Sequence, residues 1–188
     1  MNKTDLMHGV DWDGESPIEG MLAQEKYDGI RAVWTGDWLM SKGGHRIDAP
    51  AWFTAGLPLG TQLDAELVYL PERGPIVPDA LRKRGSSDRR WGKAMLMVFD
   101  VIVPMSFSGR GQLLPASVKK SLFADFVPPR FIGSLEELRT TLRATLALGG
   151  EGLILRDPDS LYVPGRCPRM LKVKAAQMRW LKELEVAA

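Results

Sequence analysis

The sequence predicts an α+β fold built on antiparallel sheets. Three observations carry that reading. Short apolar–polar alternations, bounded by Gly, Pro and Asp, recur between residues 22 and 103. Two longer stretches toward the C-terminal half have helical spacing. Two further short apolar runs follow them, so helices are interspersed among strands rather than alternating with them regularly.

Taken in order, residues 1–20 are polar and contain Gly and Pro, and read as an irregular arm. Strands are expected near 22–25, 30–34 and 37–41, the last two joined by Thr35-Gly36-Asp37. Residues 62–70 give another strand, and the apolar, β-rich run 93–103 a buried one. Residues 117–126 and 134–148 are expected to be helical. The second begins with Ser134 and Glu137 in a capping-box relation and lines up Leu135, Leu138, Leu142 and Leu146. It stops at Gly149-Gly150. Strands at 153–155 and 170–173 and a short amphipathic helix from Ala175 to about Leu184 complete the set. There is no internal repeat or low-complexity tract.

Composition excludes several classes. A chain of 188 residues, 45% hydrophobic, can bury a core as one large domain or two small ones. Its net charge of +2 is too weak to argue nucleic-acid binding by itself. A single cysteine, Cys167, rules out a disulfide framework and a Cys-based zinc site within the chain. Of the two histidines, His45 lies in a Gly-rich turn and reads as a surface residue. The N-terminal residues lack an apolar signal region, and no run of 18 or so apolar residues occurs. A cytoplasmic protein with no membrane partner is the expectation.

The most informative residues are Lys26-Tyr27-Asp28-Gly29-Ile30-Arg31, set between an apolar lead-in and the alternating Ile30, Ala32 and Trp34. Asp-Gly supplies turn chemistry between two strands. A lone lysine there would read as a solvated cation. It becomes a nucleophile only if its amine loses a proton, which burial near other cations favours.

The Lys-x-Asp-Gly-x-Arg spacing resembles the adenylation motif of the covalent nucleotidyltransferases, which comprise ATP-dependent DNA ligases, RNA ligases and capping enzymes. Four further segments follow in the family's order: Leu63-Asp64-Ala65-Glu66-Leu67, Met97-Val98-Phe99-Asp100, Gly150-Glu151-Gly152-Leu153-Ile154-Leu155-Arg156 and Leu171-Lys172-Val173-Lys174. Residues between them, such as Ser41 to Ile47, Leu161-Tyr162 and Gly165-Arg166, are most similar to the minimal E-type bacterial and phage DNA ligases. Ala65 stands where the family has Gly, and Lys42 where many relatives have Arg.

The resemblance implies an ATP-grasp-like nucleotidyltransferase core with the nucleotide between two sheets. It implies ATP as cofactor, with Mg²⁺ or alternatively Mn²⁺, and Lys26 as the catalytic nucleophile. It places Glu25, Lys26, Arg31, Lys42, Glu66, Phe99, Glu151, Lys172 and Lys174 around ATP, with Phe99 stacking on adenine. Asp28, Glu66 and Glu151 are the expected metal carboxylates, since hard cations take oxygen ligands. Each residue alone reads as core or as a solvated strand face; their ordered occurrence overturns that. The separate basic cluster Arg82, Lys83, Arg84, Arg89 and Arg90 reads either as a solvated loop or as a sequence-independent contact to DNA phosphates.

Only fourteen residues follow Lys174, too few for the C-terminal OB-fold that DNA ligases of this kind usually carry. The expectation is therefore one nucleotidyltransferase domain over residues 1–188, with that domain absent or supplied as a separate OB-fold protein. The expected partner is nicked duplex DNA. An RNA-ligase type of enzyme and a nick- or nucleotide-binding module without turnover are the alternatives.

Overall fold

The structure is a computed structural model that describes residues 6–69 and 89–175. Two sheets dominate it. The first holds strands β1 (Met7–Asp11), β2 (Met21–Lys26), β9 (Arg130–Ile132), β10 (Gly152–Arg156) and β11 (Gly165–Lys174), in the order β1-β11-β10-β2-β9. The second holds β3 (Ile30–Trp34), β4 (Leu39–Ser41), β5 (Arg46–Ile47), β6 (Leu63–Tyr69), β7 (Ala94–Val101) and β8 (Ala124–Phe126), in the order β5-β4-β3-β6-β7-β8. Pairing is antiparallel except β1 with β11 and β7 with β8. The predicted α+β class is thus the observed one.

Period-two alternation explains why the sheets enclose a cavity. On β2, Met21 and Ala23 turn to one side; so do Leu153 and Leu155 of β10 and Leu171 and Val173 of β11. All six pack with Leu138 and Leu142 of helix α3 (Leu135–Ala147). Their neighbours Gln24, Lys26, Ile154, Arg156, Met170 and Lys172 face the other way. On the second sheet, Ala32, Ala65, Leu67, Leu96 and Val98 bury against the one-turn helix α1 (Ala51–Thr54) and helix α2 (Phe107–Val118), with Phe53, Leu114 and Trp91. Arg31, Glu66 and Phe99 are left on the opposite side. Each sheet keeps its own core behind it and presents its polar face to the space between.

The Lys26–Ile30 turn carries the chain from one sheet to the other. A Cβ on Gly29 would lie 2.4 Å from the Leu67 carbonyl oxygen, so only glycine lets the turn approach β6 this closely. A second glycine, Gly152, is required at φ 154, where a Cβ would meet the Val173 carbonyl at 2.2 Å.

Two sequence expectations are corrected. The supposed arm contains β1, whose residues pair in parallel with Gly165–Cys167 and, after a register shift, with Leu171 and Lys172. An edge strand of five residues broken by glycine carries too little alternation to be read alone. The helix expected at 117–126 lies instead at 107–118, capped by Ser106, and is followed by β8. Gly109, Gly111 and Pro115 argue locally against a helix there. Tertiary contacts override them: Phe107, Arg110 and Leu114 are fully buried. Ser134 caps α3 as expected, its hydroxyl accepting from the Glu137 amide at 3.2 Å. In return the Gly133 amide donates to the Glu137 carboxylate at 2.8 Å. The helix expected beyond Ala175 lies outside the described residues.

Candidate active site

A cavity of about 340 Å³ opens between the sheets, lined by residues from seven strands and the Lys26–Ile30 turn. This is a size at which small-ligand sites begin, roughly 300–1,000 Å³. Lys26, Glu25, Arg31, Lys42, Glu66, Phe99 and Lys172, all expected from the sequence, line it. Glu151 and Lys174 stand beside it at Lys26. The Lys26 ammonium is ion-paired with Glu151, and Lys174 Nζ lies 2.8 Å from the other Glu151 oxygen. Burial opposes ionisation of Glu151, but hydrogen bonds from Lys174 and Lys26 outweigh it and hold its pKa below the usual value. Asp28 is exposed on the turn, outside the lining.

Glu66 faces the same space. Burial pushes its pKa up to about 7, against the opposing pull of Lys26 and Arg31. Arg31 is fixed rather than free. Its Nε and Nη2 both donate to Asp64, the former at 2.9 Å, and Nη2 also donates to the Met7 carbonyl at 2.8 Å. The fully buried Asp64 additionally accepts from Tyr162 Oη at 2.6 Å. Burial and then Asp64 raise the Tyr162 pKa, so the phenol stays protonated and donates.

Phe99 is framed by two guanidiniums, Arg31 at 5.6 Å and Arg156 at 5.4 Å from its ring centroid. Arg156 and Arg110 both pair with the fully buried Asp100, Arg110 Nε at 2.7 Å, which ties β10 and α2 to β7. The platform strand is therefore locked by buried charge.

Sequence reasoning missed several lining residues. Gln24 is the most informative. Its Nε2 donates to the Phe99 carbonyl at 3.1 Å and the Val127 carbonyl at 2.6 Å, while its buried Oε1 has no hydrogen-bond partner. A buried amide oxygen left orphaned at a cavity wall is an acceptor waiting for a donor. Spacing could have found it, because positions 24 and 26 share a strand face. Ile154, aligned with Gln24 in the register, lines the cavity by the same logic. His8 had no such signal, since β1 was not legible.

Of the basic cluster, Arg82, Lys83 and Arg84 lie outside the described residues. Arg89 and Arg90 open a 3-10 turn, Arg89–Lys93, anchored by the fully buried Trp91. Cys167 is buried with Met7 and Met170, consistent with an inert residue.

The two-sheet cleft, its lysine and its surrounding carboxylates and cations define a nucleotidyltransferase-type site. Residues 57–174 match the sequence profile of the ATP dependent DNA ligase domain. The chain is 31% identical to a DNA ligase of Haemophilus influenzae over 169 residues, covering 86% of this chain and 60% of that protein. A solved Lig E DNA ligase superposes with a TM-score of 0.74 at 29% identity, over 90% of this chain and 68% of that one. Chlorella virus DNA ligase-adenylate shares the fold, with a TM-score of 0.77 at 22% identity over 91% of this chain and 67% of that one. The chain belongs to the ATP-dependent DNA ligase family and carries its nucleotidyltransferase domain. It spans less than two thirds of the Haemophilus relative's length. Among the described residues no helix is long and apolar enough to cross a membrane.

Proposed function

We propose that this domain forms a covalent lysyl-adenylate at Lys26 and passes the AMP to the 5′-phosphate of a nick in duplex DNA. The observation that carries the reading is the Lys26–Glu151–Lys174 ion-pair chain beside a cavity that joins a base platform to a cationic end.

Adenine fits between Phe99 and Ile154, a π-face and an aliphatic side chain that hold a base without hydrogen bonds. Its exocyclic amine is the donor that Gln24 Oε1 lacks. Guanine would present a carbonyl oxygen there, acceptor against acceptor, so the pocket favours ATP over GTP. Lys172 and Lys174 attract the α-phosphate. Lys26 Nζ, once deprotonated, attacks the α-phosphorus; the N–P bond forms, the bond to the bridging oxygen breaks, and pyrophosphate leaves. Glu151 holds the Lys26 ammonium in place before attack and releases it when that proton is lost. In the second step an oxygen of the acceptor phosphate displaces Lys26 from phosphorus, which makes a phosphoanhydride and returns the amine.

A divalent cation fits the donor set. Glu66 and Glu151 act on one another and on Lys26 across the same space, and no cluster of three or more His, Cys, Asp or Glu gathers among the described residues. Mg²⁺ characteristically takes one or two carboxylates and completes its shell with phosphate oxygens and water. Bound there, Mg²⁺ or Mn²⁺ would neutralise phosphate charge as the N–P bond forms. The single-domain organisation over 1–188, nicked DNA as partner and a separate OB-fold protein as a supplement belong to this proposal.

The test uses ATP labelled in its α-phosphate. With Mg²⁺ the label should stay on the denatured protein, be lost on addition of pyrophosphate, and move to a 5′-phosphorylated nicked duplex. Label that never survives denaturation would remove the covalent mechanism. Label that moves to RNA ends but not to the DNA nick would replace DNA by RNA as the acceptor.

A further inference from the structure

His8 lines the same cavity as the base platform and is joined to it through Arg31, whose guanidinium stands 5.6 Å from the Phe99 ring centroid and, at Nη1, 3.1 Å from His8 Nδ1. Gln24 and Phe99 stand on β2 and β7, whereas His8 stands on the edge strand β1, facing Lys42 just past β4, with Lys172 on β11 and Arg31 on β3. We propose that His8 is a phosphate-binding residue whose Nε2–H donates to a phosphate oxygen held among Arg31, Lys42 and Lys172.

The hydrogen-bond geometry fixes the role. Arg31 Nη1 lies 3.1 Å from His8 Nδ1. A guanidinium can only donate, so Nδ1 accepts and the ring proton of a neutral His8 sits on Nε2. Arg31 cannot turn away to offer another arrangement, because Asp64 and the Met7 carbonyl hold its remaining edge. The charged groups acting on the ring are Arg31, Lys42 and Lys172, with Asp64 opposing them. Burial, then those three cations, lower the His8 pKa. The ring is therefore a neutral donor at neutral pH, within a ring of cations. Because Asp64 already compensates Arg31, the charge on offer there comes from Lys42 and Lys172. A dianionic phosphate ester suits two lysines and a fixed N–H donor better than a carboxylate or a hydroxyl does.

The inference rests on the nucleotide reading above and deepens it. The phosphate could come from the nucleotide's own β- and γ-groups or from the 5′-end of the acceptor strand; the chemistry is shared, and the assay separates them. His8→Asn keeps an acceptor near the Nδ1 position for Arg31 but removes the donor that reaches Nε2. His8→Gln restores a donor near Nε2 and loses the acceptor. Two affinities are measured for each variant: ATP with unmodified protein, and nicked duplex bearing a 5′-phosphate or a 5′-hydroxyl with pre-adenylylated protein. We expect His8→Asn to weaken one of them by about tenfold to a hundredfold, the size of a hydrogen bond to a charged group, and His8→Gln to recover most of it. Loss in the ATP arm assigns the nucleotide's phosphates. Loss confined to the 5′-phosphate duplex assigns the acceptor's.

If neither arm moves, or if His8→Asn is silent while His8→Gln is impaired, His8 only props Arg31 and the proposal falls. Long-range ¹⁵N spectra of the wild-type imidazoles, of which there are two, give a readout that needs no catalysis. They should show His8 protonated on Nε2 and its Nε2 signal displaced by ATP or by the 5′-phosphorylated duplex. A proton on Nδ1, or no displacement by either probe, overturns the proposal. A displaced signal in a protein that never becomes adenylylated would support it while the covalent mechanism fails.

Discussion

Replacing Asp100 by Asn should destabilise the domain severely, although Asp100 itself does not line the cavity. Asp100 is fully buried and accepts from Arg110 at 2.7 and 3.2 Å and from Arg156. Arg110 and Arg156 are 0% and 2% exposed, so neither can turn to water. Asn keeps the shape and one acceptor oxygen but leaves two buried guanidiniums with no anion. Breaking a buried pair from one side costs about 3–5 kcal/mol. Arg110 retains its bonds to the Met105 and Ser160 carbonyls, which argues for the lower half of that range. Against a typical domain stability of about 5–15 kcal/mol this is a large share. For a chain of this length, each kcal/mol moves the midpoint by about 2–4 °C, so a drop of roughly 6–15 °C is expected. Denaturant and thermal unfolding with circular dichroism measure it. Arg156→Met combined with Asp100→Asn should cost less than the two single changes summed, because one orphaned charge is removed. A loss under about 1 kcal/mol for Asp100→Asn, or strict additivity, would refute the view that this cluster locks the platform strand.

Phe99→Ala should weaken ATP binding by about tenfold to a hundredfold, the worth of one stacked base, as read by calorimetric titration; unchanged affinity would take Phe99 out of the site. Gly29→Ala forces a Cβ to 2.4 Å from the Leu67 carbonyl, and should cost about 1–3 kcal/mol in unfolding experiments and slow adenylylation by shifting the Lys26 turn. The pH dependence has two opposed parts. The lowered His8 pKa means the unfolded chain takes up a proton near pH 6.5 that the folded one resists, so His8 erodes stability as pH falls below that value. The raised Glu66 pKa works the other way: its contribution is complete below 4.5 and is lost as pH rises through about 7. Subtracting the stability curves of His8→Asn and Glu66→Gln from wild type should show these two opposite slopes between pH 4.5 and 7.

Most of the site could be read from sequence because its residues sit in strands, where period-two spacing and ordered motifs carry the information. Lys26, Arg31, Glu66, Phe99 and Lys172 line one cavity, yet spacing alone gives each as core or as a solvated strand face, and it is the resemblance carried by the ordered motifs that singles them out. What escaped depended on partners far along the chain. Spacing puts Gln24 on the Lys26 face of its strand, but its free acceptor shows only once both amide hydrogens are seen to be spent on Phe99 and Val127. The α2 helix contradicts its own propensities and is held by Asp100 and by core packing. β1 exists because β11 offers it an edge across more than 150 residues of chain, which no local pattern announces. His8 was invisible for the same reason.

Peptide mapping of the adenylylated protein tests the central claim most directly. After incubation with ATP and Mg²⁺, tandem mass spectrometry under mildly alkaline conditions, where a phosphoramidate survives, should place one AMP on Lys26. Lys42, Lys172 and Lys174 should be unmodified, and Lys26→Ala protein should carry none. An adduct on another of these lysines, or an undiminished adduct on Lys26→Ala protein, would contradict the assignment of Lys26 as the nucleophile.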